Sequence, residues 1–327
     1  MDCMPPLAEL VVHARTGRWR RGAGAALAVG NFDGVHVGHA EIARRLRAAA
    51  DRQGVPAVAL TFDPHPAAIV RPASAPVPLT TPDRRAALLL DLGLDAVLVQ
   101  PANRGLVELA AHDFYRHVLR GRLQAAALVE GADFRFGAGR AGDVGLLAEW
   151  AAADGIGVEV VPAVLVGGAA VSSSRIRGMV AAGEIGAANR LLTAPLRVSG
   201  TVVVGARRGA QLGFPTANLA DIATLLPREG VYAARAGVAG GASWPAAVHI
   251  GPNASFGETA LSVEVHLIGF AGDLYGRRLD VDFLERLRDT RRFAAVDDLI
   301  AQMTADVAAA ARIAAAGGPA TGSDHAT

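Results

Sequence analysis

His36 and His39 flank Gly38 in the run VGNFDGVHVGHAEI. An apolar stretch ends at Val29–Gly30. A turn holding Asn31, Phe32, Asp33 and Gly34 follows, and apolar positions at Ile42 and Leu46 mark a helix beyond it. A strand–turn–helix of this kind suits nucleotide phosphates. Its glycines admit the backbone close to a ligand, and the helix start offers unpaired N–H groups and the positive end of a dipole. Two imidazoles placed there can donate to a phosphoryl group as negative charge develops, with no covalent nucleophile. The same pair in an ordinary strand–helix turn would be merely polar. No third ligand at metal-binding spacing accompanies it.

Three further segments keep this one company. TFDPHP, residues 61–66, puts Phe62, Asp63 and His65 in a proline-stiffened loop; alone it reads as a turn. VEGADFRFGAGRAGD puts Asp133, Phe134, Arg135 and Arg140 among glycines; alone it reads as a surface loop. VSSSRIRGMV puts Ser172, Ser173 and Ser174 at a helix start, with Arg175 and Arg177 behind them. Serines there cap a helix and also bind phosphate, and the arginines can neutralise a triphosphate.

The second half carries a different set. In GFPTANL, Thr216 and Asn218 alternate, so an extended chain turns both to one side. A hydroxyl and an amide oxygen are hard ligands suited to Mg²⁺ held with ATP phosphates; a Pro-Thr-Asn turn is the plain alternative. In SVEVHLIGF, Glu264 is the one carboxylate of an alternating strand. A carboxylate beside a substrate hydroxyl can accept its proton during phosphoryl transfer, although an exposed strand residue would look the same. Tyr275, Gly276, Arg288 and Phe293 follow.

The elements around these residues fall into two textures. Up to about Leu192, short apolar strands at 25–29, 57–61, 96–99, 125–129 and 158–161 alternate with helical patterns at 39–52, 82–92, 111–120, 142–153 and 173–182. That order predicts parallel βαβ units, which bind ligands at the carboxyl ends of their strands. Beyond it, β-branched and aromatic segments at 196–204, 231–236, 245–250, 261–270 and 278–283 predict a small antiparallel barrel. An alanine-rich helix spans 296–315, and the tail 317–327 reads as disordered.

Composition narrows the chemistry. The 327 residues suit two domains. All 32 basic residues are arginine, so a P-loop, which needs a lysine, is excluded. A formal net charge of +1 speaks against a nucleic-acid partner. No uninterrupted apolar run approaches the ~18 residues of a membrane span, so no membrane partner is expected. The N-terminus lacks the order of a signal peptide, and a single cysteine, Cys3, fits a cytoplasmic location.

Taken in order, these segments resemble the prokaryotic bifunctional riboflavin kinase/FAD synthetase family, over roughly residues 10–315. The resemblance implies an α/β Rossmann-like nucleotidyltransferase domain (1–186), a linker (187–195), and a small antiparallel β-barrel kinase domain with a C-terminal helix (196–316). It implies two ATP-dependent steps: riboflavin to FMN in the barrel, then FMN to FAD with release of pyrophosphate. Riboflavin, FMN and ATP are then the small-molecule substrates, FMN and FAD the product ligands, and Mg²⁺ the cofactor. By position, His36 and His39 serve adenylyl transfer. Gly30, Phe32, Asp33, Gly34, Gly38, Ser172, Ser173, Ser174, Arg175 and Arg177 lie on the ATP side. Asn31, Phe62, Asp63, His65, Asp133 and Phe134 lie on the flavin side. In the barrel, Thr216 and Asn218 bind Mg-nucleotide, Glu264 is the general base, and Arg288 helps close the flavin site.

Departures from the family pattern cluster in the second half. Val204 stands for a histidine, Ala210 for an arginine, and HIGPNASFG carries Ala254 within an altered N-P-T-F segment. Ala102 stands for a phenylalanine in the first half. Val204, Ala210 and Ala254 motivate a second reading, an adenylyltransferase with an impaired kinase half or one serving a modified flavin; Ala102 reads as a packing change. A third is a non-catalytic flavin-binding regulator. A class I aminoacyl-tRNA synthetase shares H-x-G-H, but its second motif requires the lysine this chain lacks.

Overall fold

The structure is a computed structural model that describes residues 9–15, 17–20, 22, 24–205, 208–252 and 261–316. Cys3, Ala254 and the tail 317–327 lie outside the described residues. The chain forms two compact units, Met1–Ser173 and Ser174–Thr327.

The first unit is built on a six-stranded sheet. Its strands are β1 (Val11–Ala14), β2 (Ala25–Val29), β3 (Ala57–Asp63), β4 (Ala96–Pro101), β5 (Ala125–Gly131) and β6 (Gly157–Val161). Their order across the sheet is β1-β4-β3-β2-β5-β6. The pairs β2–β3, β3–β4, β2–β5 and β5–β6 are parallel, and β1 is an antiparallel edge. The chain thus builds outward from β2 through β3 and β4, then returns to the other edge of β2 as β5. The strand order reverses between β2 and β5, the kind of switch point beyond whose carboxyl ends open parallel sheets bind ligands.

Every residue of β2 is buried, as expected of a strand covered on both faces. On one face Leu27, Leu60, Leu98 and Leu128 pack with Phe114, Tyr115, Leu119 and Leu147. On the other lies α1 (Val37–Gln53), which buries Ala43, Leu46, Ala49 and Ala50, a stripe at helical spacing. Gly54, at φ 67°, ends α1 in the left-handed conformation that glycine adopts without penalty. Helices α2 (Pro82–Asp91) and α3 (Val144–Ala153) complete the cover.

One expected helix differs. The pattern at 111–120 predicts an α-helix, but after a single α turn Phe114–Arg122 is π-helical. The wider turn keeps Phe114, Tyr115, Val118 and Leu119 all buried against the sheet. The strand β1 went unread because its four residues show no clean alternation and it pairs only through β4.

The helix α4 (Ser173–Ala182) starts on the last residue of the first unit, and its remainder, with α5 (Ile185–Asn189), opens the second. Asn189, in the segment expected as linker, donates to Phe283 O at 2.8 Å and accepts from Leu196 N–H at 2.9 Å. A closed barrel follows: β7 (Leu196–Val203), β8 (Ala217–Ala220), β9 (Gly230–Val238), β10 (Trp244–Gly251), β11 (Ser262–Leu267) and β12 (Arg278–Arg288), in the order β7-β8-β11-β10-β9-β12. All six pairings are antiparallel, and β12 returns to β7. Closure removes the exposed strand edges. Inward side chains include Val198, Leu219, Val248, Val265, Val281 and Phe283, all buried.

The last helix, α6 (Val296–Ala316), is long and apolar enough to cross a membrane by length and composition. It packs on β9, β10 and β12, burying Ala310 and Ala314. Arg235 donates to Ala314 O at 2.8 Å, a cation at the negative end of the helix dipole. Asp306 receives a two-pronged bond from Arg288, with Nη2 at 2.7 Å and Nε at 3.0 Å.

Candidate active sites

The loop between β2 and α1 is held in a strained path. Phe32 and Val35 both have positive φ, 47° and 41°, a region that residues with a Cβ seldom enter. Such strain persists only where the surroundings over-determine it. Here Asp33 does so. Its buried carboxylate accepts the Leu79 N–H at 2.9 Å, the Thr80 N–H at 3.0 Å and the Thr80 hydroxyl at 2.9 Å. The Gly34 N–H donates to Thr80 Oγ1 at 3.1 Å. Arg85 stands behind, 3.6 Å from Asp33, and donates to Thr61 Oγ1 and Phe62 O. The Asp33 side chain therefore shapes the loop from within.

His36 and His39 cap α1 reciprocally. The His39 N–H donates to His36 Nδ1, and the His36 N–H donates to His39 Nδ1, both at 3.3 Å. The rings stack with centroids 3.6 Å apart and planes 16° apart. Both Nδ1 atoms are acceptors, so each neutral ring carries its proton on Nε2, and two parallel N–H donors result. Gly38 gives the stack room: a Cβ there would lie 3.1 Å from the His36 ring, close enough to push it by a few tenths of an ångström.

Burial lowers the His36 pKa to about 4, against the pull of Asp133 and Asp33. Burial, His36 and Arg85 together hold His39 well below the ordinary range. Both rings are therefore neutral donors near pH 7. The unfolded chain takes up these protons near pH 6.5, before the fold does. The pair's contribution to stability is complete above that pH and is lost as pH falls toward about 4. We expect a thermal midpoint that declines through this window, with a shallower decline in His36→Asn, read by circular dichroism against pH.

The other predicted residues of this unit gather at the same end of the sheet. Ser173 donates to Asp33 O at 2.9 Å, which ties this one serine to the histidine loop. Asn31 O accepts from Thr61 Oγ1 at 3.0 Å. Gly30 lies under the Phe32 ring, where a Cβ would approach to 3.3 Å. His65 Nδ1 caps the short helix Pro66–Val70 through the Ala67 N–H at 3.0 Å, and Asp63 is exposed at the end of β3. Asp133 is exposed after β5, and Phe134 stacks on Phe136 at 5.4 Å. Ser172 is half-buried just before α4. Ser174, Arg175 and Arg177 lie on the first turns of α4 and belong to the second unit, Ser174 exposed and the two arginines half-buried.

The barrel brings its predicted set together through strand register. Asn218 on β8 stands opposite Glu264 on β11, and Glu264 stands opposite His249 on β10. Directly opposed residues have Cβ atoms about 5 Å apart. The Thr216 hydroxyl donates to Glu264 Oε2 at 3.3 Å. The cluster offers a hydroxyl, an amide oxygen and a carboxylate, the hard oxygen donors that Mg²⁺ prefers. Arg288, expected at the flavin site, holds Asp306 of α6 in the pair described above, and its charge is felt at His249.

Gly205 leaves room for the Asn218 amide: a Cβ would come within 2.2 Å of Nδ2. We expect Gly205→Ala to displace Asn218 and to lower FMN formation about 10-fold or more while FAD formation from supplied FMN continues. Equal rates of FMN formation in parent and variant would remove Gly205 from the site.

Thr80, Arg85, Glu130, Gly205 and His249 are site neighbours that sequence reading passed over. Arg85 sits in an unremarkable helix pattern, and Glu130 ends an apolar strand as any solvated carboxylate might. His249 becomes visible only once β10 and β11 are paired. A carboxylate at the end of an otherwise apolar strand, as at Glu130, was the one available signal.

Comparison with known proteins agrees with both halves. A family model described as FAD synthetase matches residues 20–175, and one described as riboflavin kinase matches residues 192–314. A bifunctional riboflavin kinase/FMN adenylyltransferase of Pseudomonas fluorescens is 40% identical over 89% of this chain and 94% of its own. Its namesake in Escherichia coli strain K12 is 34% identical over 86% and 90%. A solved structure titled macrolide-efflux protein, from Streptococcus pneumoniae, superposes with a TM-score of 0.77 at 30% identity, covering 88% of this chain and 94% of that one. With a parallel-sheet unit carrying the paired histidines and a closed barrel carrying the Thr-Asn-Glu cluster, the chain belongs to the bifunctional riboflavin kinase/FMN adenylyltransferase family.

Proposed function

We propose that this chain phosphorylates riboflavin to FMN at the barrel and adenylylates FMN to FAD at the parallel-sheet unit. The observation that carries the second step is the stacked pair His36 and His39, locked as neutral Nε2–H donors at a helix start. In adenylyl transfer an FMN phosphate oxygen attacks the α-phosphorus of ATP, the α–β bridge breaks, and pyrophosphate departs. Two fixed donors stabilise the charge that grows on the α-phosphoryl oxygens. Ser173 and the N–H groups of the loop bind the remaining phosphates. Phe62 and Phe134, half-buried, offer aromatic surface to the flavin ring.

In the barrel, Glu264 accepts the proton of the ribityl 5′-hydroxyl as its oxygen attacks the γ-phosphorus and ADP leaves. Thr216 and Asn218 would hold Mg²⁺ with the nucleotide, and the ion would supply positive charge against the developing phosphate charge. The substrates are small molecules, and the enzyme works in the cytoplasm.

Incubation with riboflavin, ATP and Mg²⁺, followed by separation of products, tests this reading. FMN should appear first and FAD after it, with one pyrophosphate per FAD. Val204, 67% exposed beyond β7 where the family has histidine, motivates the alternative of an impaired kinase half. FAD formed from supplied FMN, with none from riboflavin, would establish that alternative. Flavin binding without turnover would establish a regulator.

A further inference from the structure

The β2–β5 ladder breaks early. After a register shift between Ala25 and Ala26, the parallel pairing ends at Leu27/Leu128, although β5 continues to Gly131. On their other edges both strands stay paired, β5 with β6 through Gly131 and β2 with β3 through Val29. Past the break, the Val29 N–H donates to Glu130 Oε1 at 2.8 Å. A side-chain oxygen thus replaces the main-chain carbonyl that a continued ladder would have offered.

The carboxyl is unusual for that task. Glu130 is 2% exposed at the end of an apolar strand. Burial pushes its carboxyl well above the ordinary range, and the Val29 N–H opposes the shift. A protonated acid still presents a carbonyl oxygen as acceptor. Val29 is also the last residue of β2 before Gly30 and the histidine loop.

We propose that Glu130 is a positioning residue for adenylyl transfer: it holds the Val29 N–H, parts β2 from β5, and so sets where the loop bearing His36 and His39 leaves the sheet. The inference rests on the reading of that histidine pair as the phosphate-binding group. It assigns Glu130 no contact with substrate.

Three variants of the full chain test it. Glu130→Gln keeps a neutral acceptor, Glu130→Leu keeps the bulk without one, and Glu130→Asp withdraws the acceptor by one methylene. FAD formation from FMN should stay within about threefold of the parent in the glutamine variant. It should fall about 100-fold in the leucine variant, mainly in kcat, as a small misplacement of reacting groups does. The aspartate variant should lie between. FMN formation from riboflavin, measured in the same preparations, should not change. Parental FAD formation by the leucine variant would overturn the proposal. A glutamine variant as impaired as the leucine one would do so too, by showing that a charge is needed.

Amide hydrogen exchange at Val29 gives a readout independent of catalysis. Slow exchange is expected in the parent and the glutamine variant, and fast exchange in the leucine variant. Fast exchange in the parent would overturn the proposal even if every rate agreed. A parent that makes no FAD would refute the activity instead, leaving the exchange rates to decide on Glu130.

Discussion

His39→Ala should abolish FAD formation from FMN and ATP while FMN formation from riboflavin continues at the parental rate. Removing one preorganised donor to a developing oxyanion lowers kcat by about 10²–10³. Here the loss is larger than one donor, because the two imidazoles fix each other. His39 Nδ1 accepts the His36 N–H, and the rings stack at 3.6 Å. Without His39, His36 keeps its cap on the helix but loses the face that orients it. Loss of half the capping box costs about 1 kcal/mol of stability, too little to unfold a protein of this size. His39→Gln separates the two effects, since glutamine at the third helical position can restore the reciprocal cap. It should recover thermal stability without recovering FAD formation. A folded His39→Ala protein that loses both products would show that the two activities are not carried by separate sites.

Glu264→Gln should give the mirror result. FMN formation should drop by about 10²–10⁴ in kcat, the contribution typical of a positioned general base. FAD formation from supplied FMN should be unaffected. The variant is nearly isosteric, and the amide oxygen still accepts the Thr216 hydroxyl now 3.3 Å from Oε2. The strand register that sets Glu264 between Asn218 and His249 should therefore survive. A KM for riboflavin close to the parent's would confirm that the loss lies in proton transfer. Unchanged FMN formation would remove Glu264 from the role of base. Asn218→Ala should also stop FMN formation, through loss of the amide proposed to hold Mg-nucleotide beside Gly205.

Much of the architecture was legible before folding was considered. The five parallel strands and the five barrel strands read from the sequence are present, most within two residues of their expected ends. They are short, apolar or alternating, and bounded by glycine, proline or asparagine, so local chemistry marks them. The eighth strand, Ala217–Ala220, was missed because GFPTANL is dominated by turn formers. It is extended only because β7 and β11 hold it on both sides.

The identity of the candidate site residues was likewise a matter of motif. The H-x-G-H run, the serine turn, Thr216, Asn218 and Glu264 stood out by type and spacing. Their roles within the fold did not. Asp33 reads as a polar loop residue, yet its carboxylate is enclosed by Leu79 and Thr80, 46 and 47 residues away. Arg288 reads as a flavin-site residue, and its bond to Asp306 of α6, 18 residues on, is invisible in the sequence.

Periodicity, turn formers and the absence of lysine determined which elements exist and which phosphate chemistry was open to them, because those properties act over a few residues. Only the tertiary structure decided which nitrogen of each histidine carries the proton, that Glu130 lies buried beyond the end of the β2–β5 ladder, and that Glu264 meets Asn218 and His249. Those outcomes depend on burial and on hydrogen bonds between distant segments, and neither is set until the sheet and barrel have closed.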